Sequence, residues 1–239
     1  MAFCDLHQHI LWGIDDGPKN AGQMHDMLKA ARDDGIEVIV ATSHAYAGYE
    51  QFNKKLYEKR LKEARRYCDR NGIDIMLLSG CEIHYASNVP DLLTRGKLPT
   101  MGKTRLVLIE FAPDASLKRI DKAADRLYRA GFHPVIAHVE RIRCIVRHPE
   151  LLETLRNEYG CYVQVNCETV LKPHFFRERR FIRYALEEKL IDVVATDAHD
   201  TKHRPVRMRE TYKKLRSMVG RKYAWQLVSL DRIAEVMSE

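Results

Sequence analysis

Ile36-Glu-Val-Ile-Val-Ala-Thr-Ser-His44 joins a run rich in β-branched residues to a side chain able to bind metal, and that join recurs along the chain. Runs of Val, Ile and Leu also occupy 74–79, 105–111, 133–137, 161–166 and 191–196, and a shorter one at 2–6 opens the sequence. Amphipathic stretches of helical period, such as 116–130 and 149–159, lie between them. Continuous apolar strands alternating with helices mark a parallel α/β sheet covered on both faces. Seven such runs suit a closed or nearly closed barrel with one domain over 1–239. Asp33-Asp34-Gly35, Asn71-Gly72 and Ala130-Gly131 should end the helices before three of the runs, because glycine tolerates the left-handed turn that stops a helix.

Nine potential ligands fall just past these runs: His7, His9, Asp16, His44, Glu82, Glu110, His138, Asp197 and His199. Asp16 aside, successive positions lie 35, 38, 28, 28 and 59 residues apart, with Asn166 at the end of a run inside the longest gap. One strand plus one helix takes about 30 residues, so the ligands repeat once per βα unit. The carboxyl ends of parallel strands carry the active site in such folds. His7-Gln-His9 puts two imidazoles on one side of an extended segment, and Asp197-Ala-His199 repeats that spacing. Asp5 shares the side of His7 one step deeper and is assigned to supporting the ligands. A carboxylate at the end of an apolar strand is costly unless a cation accompanies it. Imidazole and carboxylate without thiolate point to manganese first, with iron or zinc as alternatives. Nine ligands exceed the needs of one ion, so two or three divalent ions are expected, neighbours being ~3.5–4 Å apart around shared oxygen ligands.

Composition narrows the classes. The chain has 239 residues, 45% of them hydrophobic, and no Pro/Gly/Ser-rich linker. No apolar stretch approaches the ~18 residues of a membrane span, and the first residues lack the pattern of a signal peptide. The six cysteines form no Cys-x-x-Cys pair and read as reduced thiols of a cytoplasmic protein. None has an arginine six positions later, so a thiol-phosphatase loop is absent. The net charge of +7 favours anionic substrates. Lys and Arg gather in 54–66, 172–183 and 203–222 and read as solvated helix faces, with Tyr57, Leu61, Ala64 and Cys68 forming the apolar stripe of one such helix.

Asp5-Leu-His-Gln-His9, Ile14-Asp-Asp-Gly-Pro18, Ala41-Thr-Ser-His44, Gly80-Cys-Glu82, Ile109-Glu-Phe111, Ala137-His-Val-Glu-Arg141, Gln164-Val-Asn166, Leu171-Lys-Pro173, Thr196-Asp-Ala-His199 and Arg204-Pro205 occur in order. Together they resemble the bacterial tyrosine phosphatases of the PHP (polymerase and histidinol phosphatase) superfamily, with the CpsB/CapC-like capsule and exopolysaccharide phosphatases as the nearest group. The resemblance implies a PHP-type distorted (β/α)7 barrel and a three-metal centre. His7, His9, Glu82 and Asp197 would hold one ion, and Glu82 would bridge to a second held by Glu110 and His138. Asp16, His44 and His199 would hold the third, while Arg141 and Arg204 would grip phosphate. It further implies hydrolysis of phosphotyrosine by a metal-bridging hydroxide, with the phosphotyrosine tail of a bacterial tyrosine autokinase as partner.

No nucleic-acid partner is expected, and assembly into a homo-oligomer is left open. Two competing functions are a phosphoesterase for small esters such as histidinol phosphate or for nucleotides, and a metal-stabilised module that binds a kinase tail without cleaving it. Some residues depart from the family pattern. His84-Tyr85 replaces a tyrosine pair, with His84 read as a surface or supporting histidine. Tyr46 and Tyr49 are read as covering the core edge, with stacking on an aryl phosphate as the alternative. His174, Phe175 and Phe176 are read as opening a helix with a packing role.

Overall fold

A computed structural model describes residues 2–47 and 52–231, so Tyr49 lies outside the described residues. The strands are β1 (Phe3–Gln8), β2 (Ile36–Ala41), β3 (His44–Tyr46), β4 (Met76–Ser79), β5 (Glu82–His84), β6 (Leu106–Glu110), β7 (His133–Ile136), β8 (Tyr162–Asn166) and β9 (Val193–Ala195). The helices are α1 (Ala21–Asp34), α2 (Lys54–Asn71), α3 (Val89–Thr94), α4 (Leu117–Arg129), α5 (Arg143–Arg147), α6 (Leu151–Tyr159), α7 (Cys167–Leu171), α8 (Phe176–Glu187) and α9 (Met208–Leu227). Every expected apolar run contains a strand, with edges one or two residues shorter at most ends.

Two of the seven expected strands resume after a two-residue break past the expected run. Thr42-Ser43 separates β2 from β3, and Gly80-Cys81 separates β4 from β5. The lower halves build a sheet β1-β2-β4, and the upper halves continue as β3-β5-β6-β7-β8-β9, all pairs parallel. Gly80 sits where the chain crosses β2, since a Cβ there would come within 2.6 Å of the Val40 side chain. The ring closes at the top, where Asp197 N–H donates to His7 O at 2.8 Å and His9 N–H to Ala198 O at 3.0 Å. Below, β4 and β6 are not paired, and the short 3-10 turn Met101–Lys103 fills the gap with a fully buried Met101. The outcome is a distorted seven-stranded α/β barrel.

Period-two alternation assigns each strand residue to a layer. Cys4, Leu6, Val40, Leu108, Val135 and Val193 fill the barrel, and Phe3, Ile39, Ile109, Ile136, Val165 and Val194 pack outward under the helices. Truncating one such side chain, as in Leu108→Ala, costs about 2–5 kcal/mol by transfer and cavity terms. Helix ends match their sequence signals. Gly35 takes φ +89°, and its N–H caps the carbonyls of Ala31 and Arg32, while Gly72 ends α2 at φ +60°. In α2 the buried stripe is Tyr57, Leu61, Ala64 and Cys68, as the periodicity predicts.

One packing expectation fails. α8 begins at Phe176 with Phe175 as its cap, but these rings are 80% and 70% exposed. The helix buries Phe181, Ile182, Ala185 and Leu186, and residues 175 and 176 precede that stripe. Among the described residues no helix is long and apolar enough to cross a membrane.

Candidate metal centre

All nine sequence-predicted ligands come together at the carboxyl end of the barrel. Glu82, 1% exposed, is the hub. Its Oε2 lies 3.3 Å from His7 Nε2, 3.2 Å from His9 Nε2 and 3.1 Å from His44 Nδ1, and its Oε1 lies 2.7 Å from His138 Nε2. Asp197 Oδ1 stands 3.4 Å from His7 Nε2 and 3.6 Å from His9 Nε2. His138 Nε2 reaches Glu110 Oε1 at 3.7 Å. Towards solvent, Asp16 Oδ1 lies 3.1 Å from His199 Nε2 and 3.4 Å from His44 Nε2.

Local backbone explains how these side chains turn inward. β1 slips register between Asp5 and Gln8, which carries His7 and His9 to the same pocket. His44 and Glu82 open the continuation strands after the two breaks, so each sits at the step between the sheets. His138 (φ +30°) and Asp197 (φ +51°) adopt left-handed backbone just past β7 and β9, at a cost of about 1–2 kcal/mol each. Such strain persists where surrounding structure dictates the conformation, and it clusters at functional sites. Gly17 allows the loop before α1 to close on the site, because a Cβ there would sit 2.6 Å from His9 O and 3.0 Å from Asp15 Oδ1.

Orienting hydrogen bonds show whether this donor set suits a cation. His7 Nδ1 lies 3.1 Å from Gln164 Oε1, His9 Nδ1 lies 2.8 Å from Asp15 Oδ2, and His199 Nδ1 lies 2.9 Å from Asp197 O. Each arrangement puts the proton on Nδ1 and turns the Nε2 lone pair into the pocket, as metal-bound imidazoles require. His199 Nε2 and His44 Nδ1 are buried beside carboxylate oxygens yet lack hydrogen-bond geometry to them. The atoms aim at common points rather than at one another. Donor atoms within 4.8 Å of each other fall into three groups: His9, Asp16, His44 and His199; His7, His9 and Glu82; and His44, Glu82 and Glu110. His9 therefore belongs to two groups, and His44 faces both Asp16 and Glu82. The residues fit a cluster of divalent ions.

Charge is strongly coupled here. Burial works against the Glu82 carboxylate, but His7, His138 and His44 outweigh it and hold the group well below the usual carboxylate range. Asp197 is likewise held low against burial, by His7 and His9. Burial disfavours the His9 imidazolium, yet Asp15 and Glu82 raise its pKa to about 9; for His44, Asp16 and Glu82 raise it to about 10. Without cations the pocket draws protons to balance its acids, which is the electrostatic complement of a metal site.

Arg141 and Arg204 meet at one oxygen. Asp197 Oδ2 accepts from Arg141 Nη2 at 3.0 Å and Arg204 Nη2 at 2.7 Å, and Asn166 Nδ2 donates to it at 2.8 Å. Both guanidinia are partly exposed, so two forked donors border the pocket mouth. The six thiols are free, and Cys81, next to Glu82, is fully buried with its pKa pushed up by burial. A cysteine nucleophile has no support.

Several supporting residues were not singled out from sequence. Asp15 binds His9 and also accepts from His44 N–H at 3.0 Å. Gln164 accepts from His138 N–H at 2.8 Å as well as from His7, and it donates to Asn166. Asp5, assigned a supporting role, is fully buried and accepts from Thr196 N–H at 2.9 Å, which anchors the strand end before Asp197. His84 Nδ1 lies 3.3 Å from Glu110 Oε2, and its ring is 5.9 Å from that of Tyr46. Tyr46 is 43% exposed at the mouth, so it does not seal the core edge.

Comparison with known proteins finds relatives along almost the whole chain. The family model described as capsular polysaccharide synthesis, CpsB/CapC, matches residues 3–235. The tyrosine-protein phosphatase CpsB of Streptococcus agalactiae serotype V is 32% identical over 228 residues, 93% of each chain. The protein of the same name from Streptococcus pneumoniae is 33% identical over 229 residues, again 93% of each. A chain from the crystal structures of YwqE from Bacillus subtilis and CpsB from Streptococcus pneumoniae, described as metal-dependent tyrosine phosphatases, superposes with a TM-score of 0.88 at 28% identity. That match covers 98% of this chain and 94% of the other.

Proposed function

Because the chain belongs to the CpsB/CapC family, we propose that it is a metal-dependent phosphoric monoester hydrolase that removes phosphate from protein phosphotyrosine. The natural substrate in this reading is the tyrosine-bearing tail of an autokinase that controls capsule or exopolysaccharide synthesis. The carrying observation is that Glu82 Oε2 lies within 3.3 Å of three imidazoles, two at the end of β1 and one opening β3. Two arginines stand beside that cluster on Asp197.

His7, His9, Glu82 and Asp197 would hold one ion, with Glu82 shared with a second at Glu110 and His138. Asp16, His44 and His199 would hold a third, with manganese the first choice and iron or zinc the alternatives. When bound, such ions bring the pKa of water towards neutrality, supplying a hydroxide as nucleophile, and offset charge on the phosphoryl oxygens. Gln164 and Asp15 fix the imidazole tautomers that point Nε2 inward. Arg141 and Arg204 present forked N–H groups to the equatorial oxygens as charge builds there. Their present partner, Asp197 Oδ2, keeps them aligned at the mouth. A phenolate, with a parent pKa near 10, leaves more readily than an alkoxide, so an aryl ester needs no protonating side chain.

The test compares phosphate release from a phosphotyrosine peptide, histidinol phosphate and a short oligonucleotide, with metal content measured in parallel for wild type, Asp197→Ala and His138→Ala. The reading expects the peptide to be turned over fastest and both variants to lose metal and activity together. Activity that survives metal loss, or a clear preference for histidinol phosphate or the oligonucleotide, would overturn it.

A further inference from the structure

α8 separates two depressions, each lined by residues a short way along the chain from the site. One, of about 1040 Å3, has an apolar floor including Val170 and Ile182 and is also lined by Arg179, Arg180 and Arg183. The other, of about 640 Å3, is lined by Arg147, Arg177 and again Arg180, with Glu150 as its one acid, 3.2 Å from His148. Each is tied to the site by a short segment. Asn166, bonded to Asp197, precedes the five residues of α7, whose last residue, Leu171, lines the larger depression. At about 1.5 Å of rise per residue Leu171 lies on the order of 8 Å from Asn166. Arg141 is followed within two residues by α5, whose Val146 and Arg147 line the smaller one.

The charge along this face has little internal balance. Arg183 pairs with Glu187 at 3.7 Å, whereas the side chains of Lys172, Arg177, Arg179 and Arg180 make no ion pair among the described residues. Phe175 and Phe176 stand in solvent beside them, Phe176 lining the larger depression. Unpaired cations next to exposed phenyl rings and an apolar floor complement an acidic chain that also carries aromatic or aliphatic side chains. A second copy of this protein fits poorly, since its own charge is +7.

We propose that this face of α8 docks the acidic, aromatic-containing peptide segment that flanks the phosphotyrosine. The assignment rests on the phosphotyrosine reading above and extends it to recognition beyond the phosphate. A residue held between Arg141 and Arg204 has its neighbours leaving over the rim, and Leu171 and Arg147, five and six residues along the chain from Asn166 and Arg141, line the depressions on either side of α8.

The test uses the full chain with metal and a fluorescent peptide of alternating glutamate and tyrosine, unphosphorylated, read by anisotropy. Its glutamine-tyrosine counterpart and an oligonucleotide of equal charge serve as controls. The glutamate peptide should bind best, weaken with salt, and lose about tenfold in affinity in Arg179→Glu/Arg180→Glu. Phe176→Ala should weaken it by about threefold. The corresponding phosphopeptide should show the same loss in KM, while turnover of p-nitrophenyl phosphate stays unchanged, which also certifies folding. Equal binding of the glutamate and glutamine peptides, equal binding of the oligonucleotide, or an arginine variant that binds like wild type would overturn the proposal. Wild type that fails to hydrolyse p-nitrophenyl phosphate would instead count against the phosphatase reading and leave the anisotropy result to decide docking.

Discussion

The inner and outer halves of the ligand cluster are built by different means. His7, His9, Glu82 and Asp197 are at most 3% exposed. They sit on or just past barrel strands, and Gln164, Asn166 and Asp15 orient three of them. Asp16 is 57% exposed, Glu110 21% and His44 17% by side chain, and Asp16 hangs from the loop before α1. Charges in the inner half interact through a low dielectric and have nowhere to relax, whereas those in the outer half share their field with water. In the proposed reading the inner half would hold its cation as part of the structure, and the outer half would exchange its cation and meet substrate.

Glu82→Gln should have the largest effect. It removes the charge that four imidazoles face, so turnover of an aryl phosphate should fall by at least about a thousandfold, with no recovery in excess metal. Gly17→Ala comes next. The new Cβ would press on His9 O and Asp15 Oδ1, costing about 1–3 kcal/mol as overpacking. It should lower thermal stability, and by displacing Asp15 it should weaken metal binding by about tenfold or more. Asp16→Asn should cost only about tenfold in turnover, recovered by raising the metal concentration in a titration. Asp16→Asn that resists rescue, or Glu82→Gln that yields to it, would erase the distinction between the halves.

The ligands were legible because each ends or follows an apolar run, a one-dimensional pattern imposed by parallel strands. The strand breaks were not read from the sequence. His44 and Glu82 follow a polar or glycine step, Thr42-Ser43 and Gly80-Cys81, and each resumes the strand only after it, where the sheet divides. Asp15 was not legible. Its partners, His9 and the backbone N–H of His44 29 residues away, are brought to it only by the loop that Gly17 lets close. Phe175 and Phe176 misled because apolar rings at a helix start imply burial, whereas the stripe of α8 begins only at Phe181.

The smallest expected effect concerns the protein stripped of metal and compares its melting curve with that of the loaded form across pH. His9 and His44 have ordinary values of 6.5, raised on folding to about 9 and about 10. A raised imidazole pKa contributes stability that is complete below the unfolded value and is lost as pH climbs through the folded one. The stripped protein should therefore melt progressively lower between pH 7 and 10 relative to the loaded form. In the loaded form, cations replace those protons. Glu82 and Asp197, held low, add nothing in this window because they stay ionised in both folded and unfolded chains above about pH 5. Buried thiols such as Cys161, pushed up to about 12, destabilise both forms alike at the alkaline end and cancel in the difference. Titrating the stripped Asp16→Asn variant then separates the halves. Without the carboxylate beside it His44 loses its leading cause of elevation while His9 keeps Asp15, so the loss should shrink to the part that is complete by about pH 9.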